Sequence, residues 1–235
     1  MLKDYIVVDL EMTGLNPKTD RILEIGAVKV REKQVLGTFS RLIRPECNLD
    51  ARIVELTGIT DDMASAGEEL DTAVTAFLEF AEDLIWVGHN VQFDYKYIKQ
   101  WEVNHRMEKT YYSVVTLKIA RKCLPALEKK TLDYLCTYYG IQRTSRHRAL
   151  DDAVANRTLY EILEQHFYQE EPDLFVKKLL QYKVKRQTPA TPQQKKYLKE
   201  FIEYHRINLD IPIEKLNRSE ASRLTDQLIR QYGKR

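Results

Sequence analysis

The first half of the chain is a series of short apolar runs separated by polar turns. The run Tyr5–Leu10 opens with four consecutive apolar residues, which is typical of a strand buried on both faces of a sheet. Residues 22–30 and 35–43 also have strand character, and the polar residues 31–34 between them predict a hairpin turn. We therefore expect the second and third strands to be antiparallel neighbours.

The following part of the chain alternates between helix and strand patterns. Apolar residues recur every three or four positions over 70–81, which predicts a helix, and the apolar residues 84–87 predict another buried strand. A last strand is expected over 110–115. Further helices are predicted over 93–103, 114–121, 132–139 and 149–167. Hairpin strands followed by strand–helix alternation favour an α/β or α+β sheet with helices on both faces.

The C-terminal part has helix-start signals of its own. Thr188–Pro192 is typical of a linker that also begins a helix, with Thr191 as the N-cap and Pro192 at the first helical position. Asn217–Glu220 has the spacing of a capping box, which predicts a second helix. We therefore expect a main domain over 1–168, a helical connector and linker over 169–190, and a small basic helical module over 191–235.

The composition indicates a soluble, cytoplasmic protein. The hydrophobic fraction of 43% is enough for a sizeable core. The three cysteines include no C-x-x-C pair, which argues against a disulfide framework or a thiolate zinc site. No signal-peptide pattern is visible at the first residues, and no apolar run approaches the ~18 residues that a membrane span needs. We expect no contact with a membrane.

Charge is distributed unevenly along the chain, although its net value is only +2. From Lys185 onward there are 12 Lys and Arg residues against 6 Asp and Glu residues, whereas the first 184 residues carry 25 and 29. A basic C-terminal part fits contact with a polyanion. It fits an ordinary solvated helical surface equally well.

Two carboxylates stand at the end of the first predicted strand. Asp9 and Glu11 are two residues apart, so their side chains point to the same face of the strand. Two acids aimed in one direction repel each other unless a cation lies between them, and hard oxygen ligands suit Mg²⁺ or Mn²⁺. By itself this pair is also compatible with a solvated strand terminus.

Two later segments add further polar groups at the start of helices. His89–Asp94 follows the apolar strand 84–87, so that Phe93 can anchor in the core while Asp94 points into a cleft. His147 precedes the helix that contains Asp151 and Asp152, and these two acids differ by about 100° around its axis. Only one of them is expected to face a metal. Taken singly, Asp94 also fits an acid favoured by the helix dipole, and His147 fits a cap or surface residue.

Together these segments resemble the DEDD superfamily of exonucleases, and in particular its DnaQ-like branch, which includes the proofreading (epsilon) subunit of bacterial DNA polymerase III. The resemblance covers about residues 4–167. Within this range, Leu56–Thr60 is similar to a turn of the family. The matching residues are Asp9–Gly14, His89 and Asn90 with Phe93 and Asp94, and His147 with four residues before Asp152. This spacing selects the histidine (DEDDh) branch and favours Asp152 over Asp151. The resemblance implies a ribonuclease H-like mixed five-stranded sheet flanked by helices.

The resemblance also implies an activity and roles for individual residues. It implies a 3′→5′ exonuclease that releases nucleoside monophosphates by two-metal-ion hydrolysis with Mg²⁺ or Mn²⁺, in proofreading, repair or end trimming. The implied metal ligands are Asp9, Glu11, Asp94 and Asp152, with His147 as the base that takes a proton from water. The implied substrate-binding residues are Thr13, Gly14, Leu15, Leu56, Ile59, His89, Asn90 and Phe93.

The identity of the nucleic acid stays open at this point. Asp9–Leu15 also resembles the first motif of oligoribonucleases, which degrade short RNA, whereas His89–Asp94 resembles the motif of the DNA-proofreading group. We expect a single-stranded DNA 3′ end as substrate and keep an RNA exonuclease, oligoribonuclease-like or RNase T-like, as the alternative. A catalytically idle binding module of the same fold is the third possibility. The presence of all five key residues argues against it.

Possible contacts outside the acid motifs follow from basic and aromatic residues. Arg143, Arg146 and Arg148 surround His147 and could meet phosphates, or could be ordinary surface residues. Glu171–Phe175 faintly resembles the pentapeptide with which polymerase partners bind the sliding clamp, which implies the clamp as a partner, although Pro172 and Asp173 also fit a helix start. The resemblance to the proofreading subunit implies a DNA polymerase as the other possible partner. In the C-terminal module, aromatic residues that interleave with lysines suit either single-strand stacking or a small core: Tyr197, Phe201 and Tyr204 with Lys195, Lys196 and Lys199.

Overall fold

The computed structural model describes residues 1–45, 47–144, 147–208 and 212–234. The chain forms two compact units. Unit 1 consists of Met1–Lys99 and Glu108–Lys183, and unit 2 consists of Gln100–Met107 and Val184–Arg235. The division of the sequence into 1–168, 169–190 and 191–235 stays a prediction. Among the described residues, no helix is long and apolar enough to cross a membrane.

Unit 1 contains one mixed sheet with the strand order β3-β2-β1-β4-β5-β6. Strands β1, β4 and β5 are parallel, and β2, β3 and β6 pair antiparallel with their neighbours. The strands are β1 Tyr5–Met12, β2 Ile22–Arg31, β3 Gln34–Leu42, β4 Ile85–Gly88, β5 Tyr112–Val115 and β6 Lys178–Leu179. The mixed α/β class and the five predicted strands are confirmed. The sixth strand is only two residues long, too short for any periodicity in the sequence.

The hairpin between β2 and β3 is confirmed as an antiparallel pair. Its two-residue loop, Glu32 and Lys33, has positive φ angles of 46° and 64°. Positive φ at both central positions is the geometry that joins twisted antiparallel strands most directly.

Helices cover both faces of the sheet. The helices that begin in unit 1 are α1 Ala51–Thr57, α2 Asp61–Ser65, α3 Leu70–Ala81, α4 Val91–Asn104, α5 Thr116–Cys123, α6 Leu132–Tyr139 and α7 Ala149–Phe167. Unit 2 contains α8 Pro192–His205 and α9 Arg218–Tyr232. One face packs against α5, α6 and α7, which bury Ile119, Leu135 and Leu159 against Val7 and Val28. On the other face, Trp86 of β4 contacts Phe77 of α3 and Tyr95 of α4.

Helix α7 crosses β2 at very short range. A Cβ atom on Gly26 would lie 2.1 Å from the carbonyl carbon of Ala149 and 2.2 Å from the amide nitrogen of Leu150. Only glycine permits this approach of strand and helix backbones. Because Gly26 pairs with Asp9 across the β1–β2 ladder, the crossing brings the start of α7 next to the acid end of β1.

Unit 2 has a small core of its own between α8 and α9. The predicted N-cap Thr191 is confirmed and forms a capping box with Gln194, and Asn217 forms a second one with Glu220. The buried apolar residues of this core are Ala190, Leu198, Phe201, Ala221 and Leu228. Phe201 therefore belongs to the small core, whereas Tyr204 is exposed.

Candidate active site

The acid end of β1 lies beneath the first turn of α7. Asp9 and Glu11 occupy alternate positions of β1, so both project to the face that α7 covers. Glu11 is directly opposite Glu24 in the β1–β2 ladder, and Glu11 is buried. The strand thus presents two carboxylates to the same enclosed space.

Asp94 joins this space from the other side of β1. It lies in the first turn of α4, and its Oδ1 accepts a hydrogen bond from the amide of Leu10 at 3.0 Å. This bond ties the helix carboxylate to the backbone between Asp9 and Glu11. Burial raises the pKa of Asp94 to about 7, although the Leu10 amide opposes the shift.

The charges of neighbouring acids raise the pKa of Asp9 and of Glu11, so acids from three distant segments lie within electrostatic range of one another. Burial raises the pKa of Asp9 first, and the charges of Asp94, Glu11 and Asp152 raise it further. Burial likewise raises the pKa of Glu11 to about 8, followed by the charges of Asp152, Glu24 and Asp94. Acids whose charged forms destabilise each other in this way make a site that favours a cation.

Asp152 lies in the first turn of α7 and is buried. Its carboxylate accepts a hydrogen bond from Arg143, whose guanidinium also binds Asp133. The side chain of Arg143 is only 6% exposed. Arg143 is therefore a buried partner of Asp152 and not the surface or phosphate-contacting residue considered above, and Arg146 lies outside the described residues.

His147 precedes α7 and has a left-handed backbone with φ of 54°. One ligand atom from each of Glu11, His147 and Asp152 lies within 4.8 Å of the others. The imidazole is thus close enough to act on the same small volume as the two carboxylates. Asp151, the neighbour of Asp152, is only partly buried and is not a member of this cluster.

Glu24 is a site residue that the sequence analysis missed. Its buried carboxylate accepts hydrogen bonds from the Arg148 guanidinium and from the Ala149 amide, the first N–H of α7. Arg148 is thereby also a structural partner and not a free phosphate contact. An acid in the middle of the apolar strand Ile22–Val30 was the available signal, because a buried acid requires a partner.

Only some of the residues expected to bind the terminal nucleotide lie where a ligand can contact them. Thr13 donates its amide to the carbonyl of Arg21 at 2.9 Å, and the Gly14 carbonyl accepts from the Tyr97 hydroxyl at 2.8 Å. Leu15 and Leu56 are exposed, so both are available to a ligand. Ile59, in contrast, is 0% exposed and packs with Leu23 and Ala64. Its expected role as a wedge against a base is therefore corrected to a core role.

The residues of the second motif also differ in their placement. His89 Nδ1 lies 3.1 Å from Thr116 Oγ1, and Nε2 lies 2.7 Å from the carbonyl oxygen of Lys130. With both ring nitrogens on protein partners, His89 holds the turn after β4 and does not offer a hydrogen bond to substrate. Asn90 is exposed at the start of α4. Phe93 is only partly buried beside Tyr97 and is not one of the core residues, so the expectation that it anchors in the core is wrong.

The segment considered as a clamp-binding peptide is folded into unit 1. Residues Pro172–Phe175 form a short 3₁₀ helix. Phe175 is 3% exposed and contacts Tyr160 and Tyr168. Because the aromatic anchor is used inside the protein, this segment does not present it to a partner.

The chain is similar to known exonucleases along most of unit 1. Residues 6–160 match a family model of the RNase T type described as "Exonuclease". The DNA polymerase III subunit epsilon of Aquifex aeolicus is 34% identical over 166 residues, covering 70% of this chain and 82% of that protein. The PolC-type DNA polymerase III of Clostridium perfringens is 36% identical over 184 residues, covering 77% of this chain. The chain spans only 12% of that polymerase.

Solved structures share the fold at lower sequence identity. Exonuclease X in complex with 5′ overhanging duplex DNA superposes with a TM-score of 0.58 at 19% identity, covering 73% of this chain and 99% of that one. An exonuclease I structure gives a TM-score of 0.62 at 20% identity, covering 74% of this chain and 42% of that one. The fold is thus the ribonuclease H-like fold of DEDDh exonucleases. With the family match, these findings identify the chain as a nuclease and a member of the exonuclease family, resembling DNA polymerase III epsilon.

Proposed function

We propose that this chain is a 3′→5′ exonuclease that releases nucleoside monophosphates from DNA 3′ ends by hydrolysis that depends on two divalent ions. The observation that carries the proposal is the convergence of Asp9, Glu11, Asp94 and Asp152, with His147 within 4.8 Å of Glu11 and Asp152. Four acids from three distant segments meet beside one imidazole. Because the chain belongs to the exonuclease family, phosphodiester hydrolysis is the chemistry that we propose for this cluster.

The residues fit divalent cations by their donor chemistry. Carboxylate oxygens are the hard ligands that Mg²⁺ and Mn²⁺ prefer, and buried acids that repel one another are stabilised by a shared positive charge. We propose that Asp9, Glu11, Asp94 and Asp152 would hold these ions, with Asp9 as the acid common to both, Glu11 and Asp152 as further ligands of one, and Asp94 as a ligand of the other. When bound, such ions make water a better nucleophile and stabilise the negative charge that develops on the phosphate.

We assign proton transfer to His147. Imidazole is the side chain that most readily exchanges a proton near neutral pH, and the His147 ring is close to two of the carboxylates. His147 is only partly buried and lies within 4.8 Å of Glu11 and Asp152, so we assign it the proton of the attacking water. The terminal nucleotide is held by the turn Thr13–Leu15, whose backbone Tyr97 fixes through Gly14.

The names of the similar proteins favour DNA as the substrate. The similar proteins are named DNA polymerase III PolC-type and DNA polymerase III subunit epsilon, and the Exonuclease X structure contains duplex DNA. RNA is the second candidate, because a structural neighbour, the DEDDh nuclease 3′hExo, is bound to rAMP, and because Asp9–Leu15 resembles the oligoribonuclease motif. We also propose a DNA polymerase as protein partner, which co-elution of the full chain with a replicative polymerase would test.

A panel of oligomers tests the activity. Single-stranded DNA and RNA 12-mers labelled at the 5′ end are incubated with Mg²⁺, Mn²⁺ or EDTA. A ladder of shortened, still labelled DNA that needs the divalent ion is expected, with slower or no shortening of RNA. Release of the labelled 5′ nucleotide as the first product would contradict the proposed polarity.

Two neighbouring variants test the site itself. Asp152→Ala is expected to abolish the ladder, whereas Asp151→Ala is the matched control and is expected to retain it. The two substitutions remove the same group from adjacent positions of one helix, but only Asp152 faces the acid cluster. An unchanged rate for Asp152→Ala would refute the assigned chemistry.

A further inference from the structure

We propose that Phe93, Lys96 and Tyr182 form a binding subsite for the nucleotide next to the terminal one, with the base on an aromatic ring and a phosphate on the lysine. This inference rests on the proposed function, since it extends the nucleic-acid path of the same active site. We call these three residues the Lys96 subsite. Lys96 Nζ lies 5.6 Å from the ring centroid of Phe93 and 5.8 Å from that of Tyr182. The ammonium group thus lies close to two aromatic rings.

The Lys96 subsite is continuous with the end of the acid cluster where the last nucleotide is proposed to bind. Phe93 precedes Asp94 in α4, and its ring lies 6.0 Å from that of Tyr97 in an edge-to-face contact. Tyr97 in turn donates its hydroxyl to the carbonyl of Gly14. Residues 93 and 96 are three apart and therefore share one side of the helix. We place the second nucleotide of a strand bound at the Gly14 turn on this side of α4, because Tyr97 contacts both the turn and Phe93.

Tyr182 is brought to α4 by the segment that follows β6. The Leu180 amide donates to the carbonyl of Tyr111 at 2.9 Å, and the Gln92 side chain donates to the carbonyl of Gln181 at 3.0 Å. These two bonds hold the two residues that immediately precede Tyr182. After burial, the charges of Asp20, Tyr182 and Asp94 raise the pKa of Tyr97, so the Tyr182 phenol lies within electrostatic range of the Tyr97 hydroxyl. Residue 182 lies outside the matched family region 6–160.

The charge of Lys96 is available to a ligand. Several lysines of unit 1 pair with carboxylates, as Lys29 does with Glu82 and Lys33 with Glu164. Within the described part of the chain, no carboxylate pairs with Lys96, whose neighbours are the two rings. A nucleic-acid strand that approaches four acids needs positive charge nearby, and lysine binds phosphate as a point charge. Aromatic faces beside it suit base stacking of any sequence.

Steady-state kinetics of the full chain with two substrates tests the inference. The first is a single-stranded oligodeoxythymidylate 12-mer, and the second is the p-nitrophenyl ester of thymidine 5′-monophosphate, which carries one nucleotide and no further phosphate. Lys96→Ala and Tyr182→Ala are each expected to raise KM for the 12-mer about fivefold or more, with kcat within about twofold. Both variants are expected to match the wild type on the ester. Tyr182→Phe keeps the ring and is expected to behave as the wild type.

A second lysine–tyrosine pair of unit 1 provides the matched control. Lys177 Nζ lies 4.7 Å from the ring centroid of Tyr112. Tyr112 is the first residue of β5, whereas the acid cluster lies at the last residues of the parallel strand β1, so the pair is at the opposite end of the strands. Lys177→Ala and Tyr112→Ala are expected to leave KM for the 12-mer unchanged. Lys96→Ala is also expected to reduce the salt dependence of KM by about one phosphate contact, which Lys177→Ala should not do.

The outcomes separate the subsite from the proposed function. Equal KM values for wild type, Lys96→Ala and Tyr182→Ala on the 12-mer, in an enzyme that Asp152→Ala inactivates, would overturn the subsite and leave the function standing. Equal slowing of both substrates would also overturn it, because that pattern indicates a structural role. A wild-type chain that hydrolyses neither substrate would refute the proposed function, and the subsite with it.

Discussion

Glu24 binds Arg148 with both carboxylate oxygens. Arg148 Nε lies 3.0 Å from Oε2 and Nη2 lies 2.8 Å from Oε1, and the Ala149 amide donates to the same Oε2 at 3.0 Å. Glu24 is 1% exposed. Since Arg148 and Ala149 immediately follow His147, this pair fixes the backbone that presents the imidazole. Strand β2 therefore positions His147 and the first turn of α7 over the acid end of β1.

Replacement of Glu24 should reduce both stability and turnover. Glu24→Ala removes three hydrogen bonds and leaves Arg148 without its partner, so the free energy of unfolding should fall by about 3 kcal/mol or more. Glu24→Gln keeps part of the hydrogen bonding and should lose less. Urea denaturation measures the stability, and kcat on a labelled oligomer measures the activity.

The half-exposed pair of Arg41 and Glu68 is the control for this prediction. Glu68→Gln should change the free energy of unfolding by about 1 kcal/mol or less, because solvent screens exposed ion pairs. Similar losses for Glu24→Ala and Glu68→Gln would show that the buried pair does not fix α7.

Much of the fold could be predicted from the sequence, because its long elements have clear periodicity. Strands β1 to β5 and the predicted helices through α7 follow from apolar spacing, and α8 and α9 follow from their capping residues. The helices α1 and α2 contain only seven and five residues, too few turns to establish a helical period, and β6 contains two. Such short elements are determined by the tertiary structure around them.

The acid cluster could be predicted only through motif resemblance, and its surroundings could not. Asp9, Glu11, Asp94 and Asp152 come from three distant segments, and no local pattern requires them to meet. Ile59 is buried, and His89 is hydrogen-bonded to Thr116 and Lys130. Both placements depend on contacts between segments far apart in the chain. Spacing identifies which residue types are present, whereas packing decides which of them face a ligand.

Gly26 should tolerate no side chain. An added Cβ would lie 2.1 Å from the backbone of Ala149, so Gly26→Ala must push α7 away from β2 and separate Asp152 from Asp9. We expect a loss of about 1–3 kcal/mol in the free energy of unfolding and a large loss of activity. Gly37→Ala is the matched strand control, because its Cβ would lie 3.7 Å from the Phe80 ring, an ordinary contact. Equal stability and activity of the two variants would contradict the close crossing.

The stability of the metal-free protein should fall as pH rises. The pKa of Glu11 is raised to about 8 and that of Asp94 to about 7, above their ordinary values of 4.5 and 3.8. The folded chain therefore retains protons that the unfolded chain has released, so these two acids make stability decline between about pH 4 and pH 8. Thermal unfolding in EDTA at pH 5, 6.5 and 8.5 measures the decline.

Divalent ions should reverse this decline, because bound cations stabilise the deprotonated carboxylates. Mg²⁺ or Mn²⁺ should raise Tm more at pH 8.5 than at pH 5. Asp94→Asn removes one of the buried charges and should flatten the pH dependence in EDTA, whereas Glu55→Gln on the exposed side of α1 should leave it unchanged. A Tm in EDTA that rises from pH 5 to pH 8.5 would contradict the mutual repulsion of the acids.

Substitution of His147 should impair catalysis but not metal binding, whereas substitution of Asp152 should impair both. His147→Gln removes the proton acceptor but none of the four carboxylates, so kcat should fall by about 10²–10⁴ while the Tm increase with Mn²⁺ persists. Asp152→Asn should lose activity together with most of the Mn²⁺-dependent increase in Tm, because it removes a carboxylate of the cluster. Thermal unfolding with and without Mn²⁺ and single-turnover rates on the same samples distinguish the two. Loss of the Mn²⁺ response in His147→Gln would instead make His147 a metal ligand, which its distance of within 4.8 Å from Glu11 and Asp152 also permits.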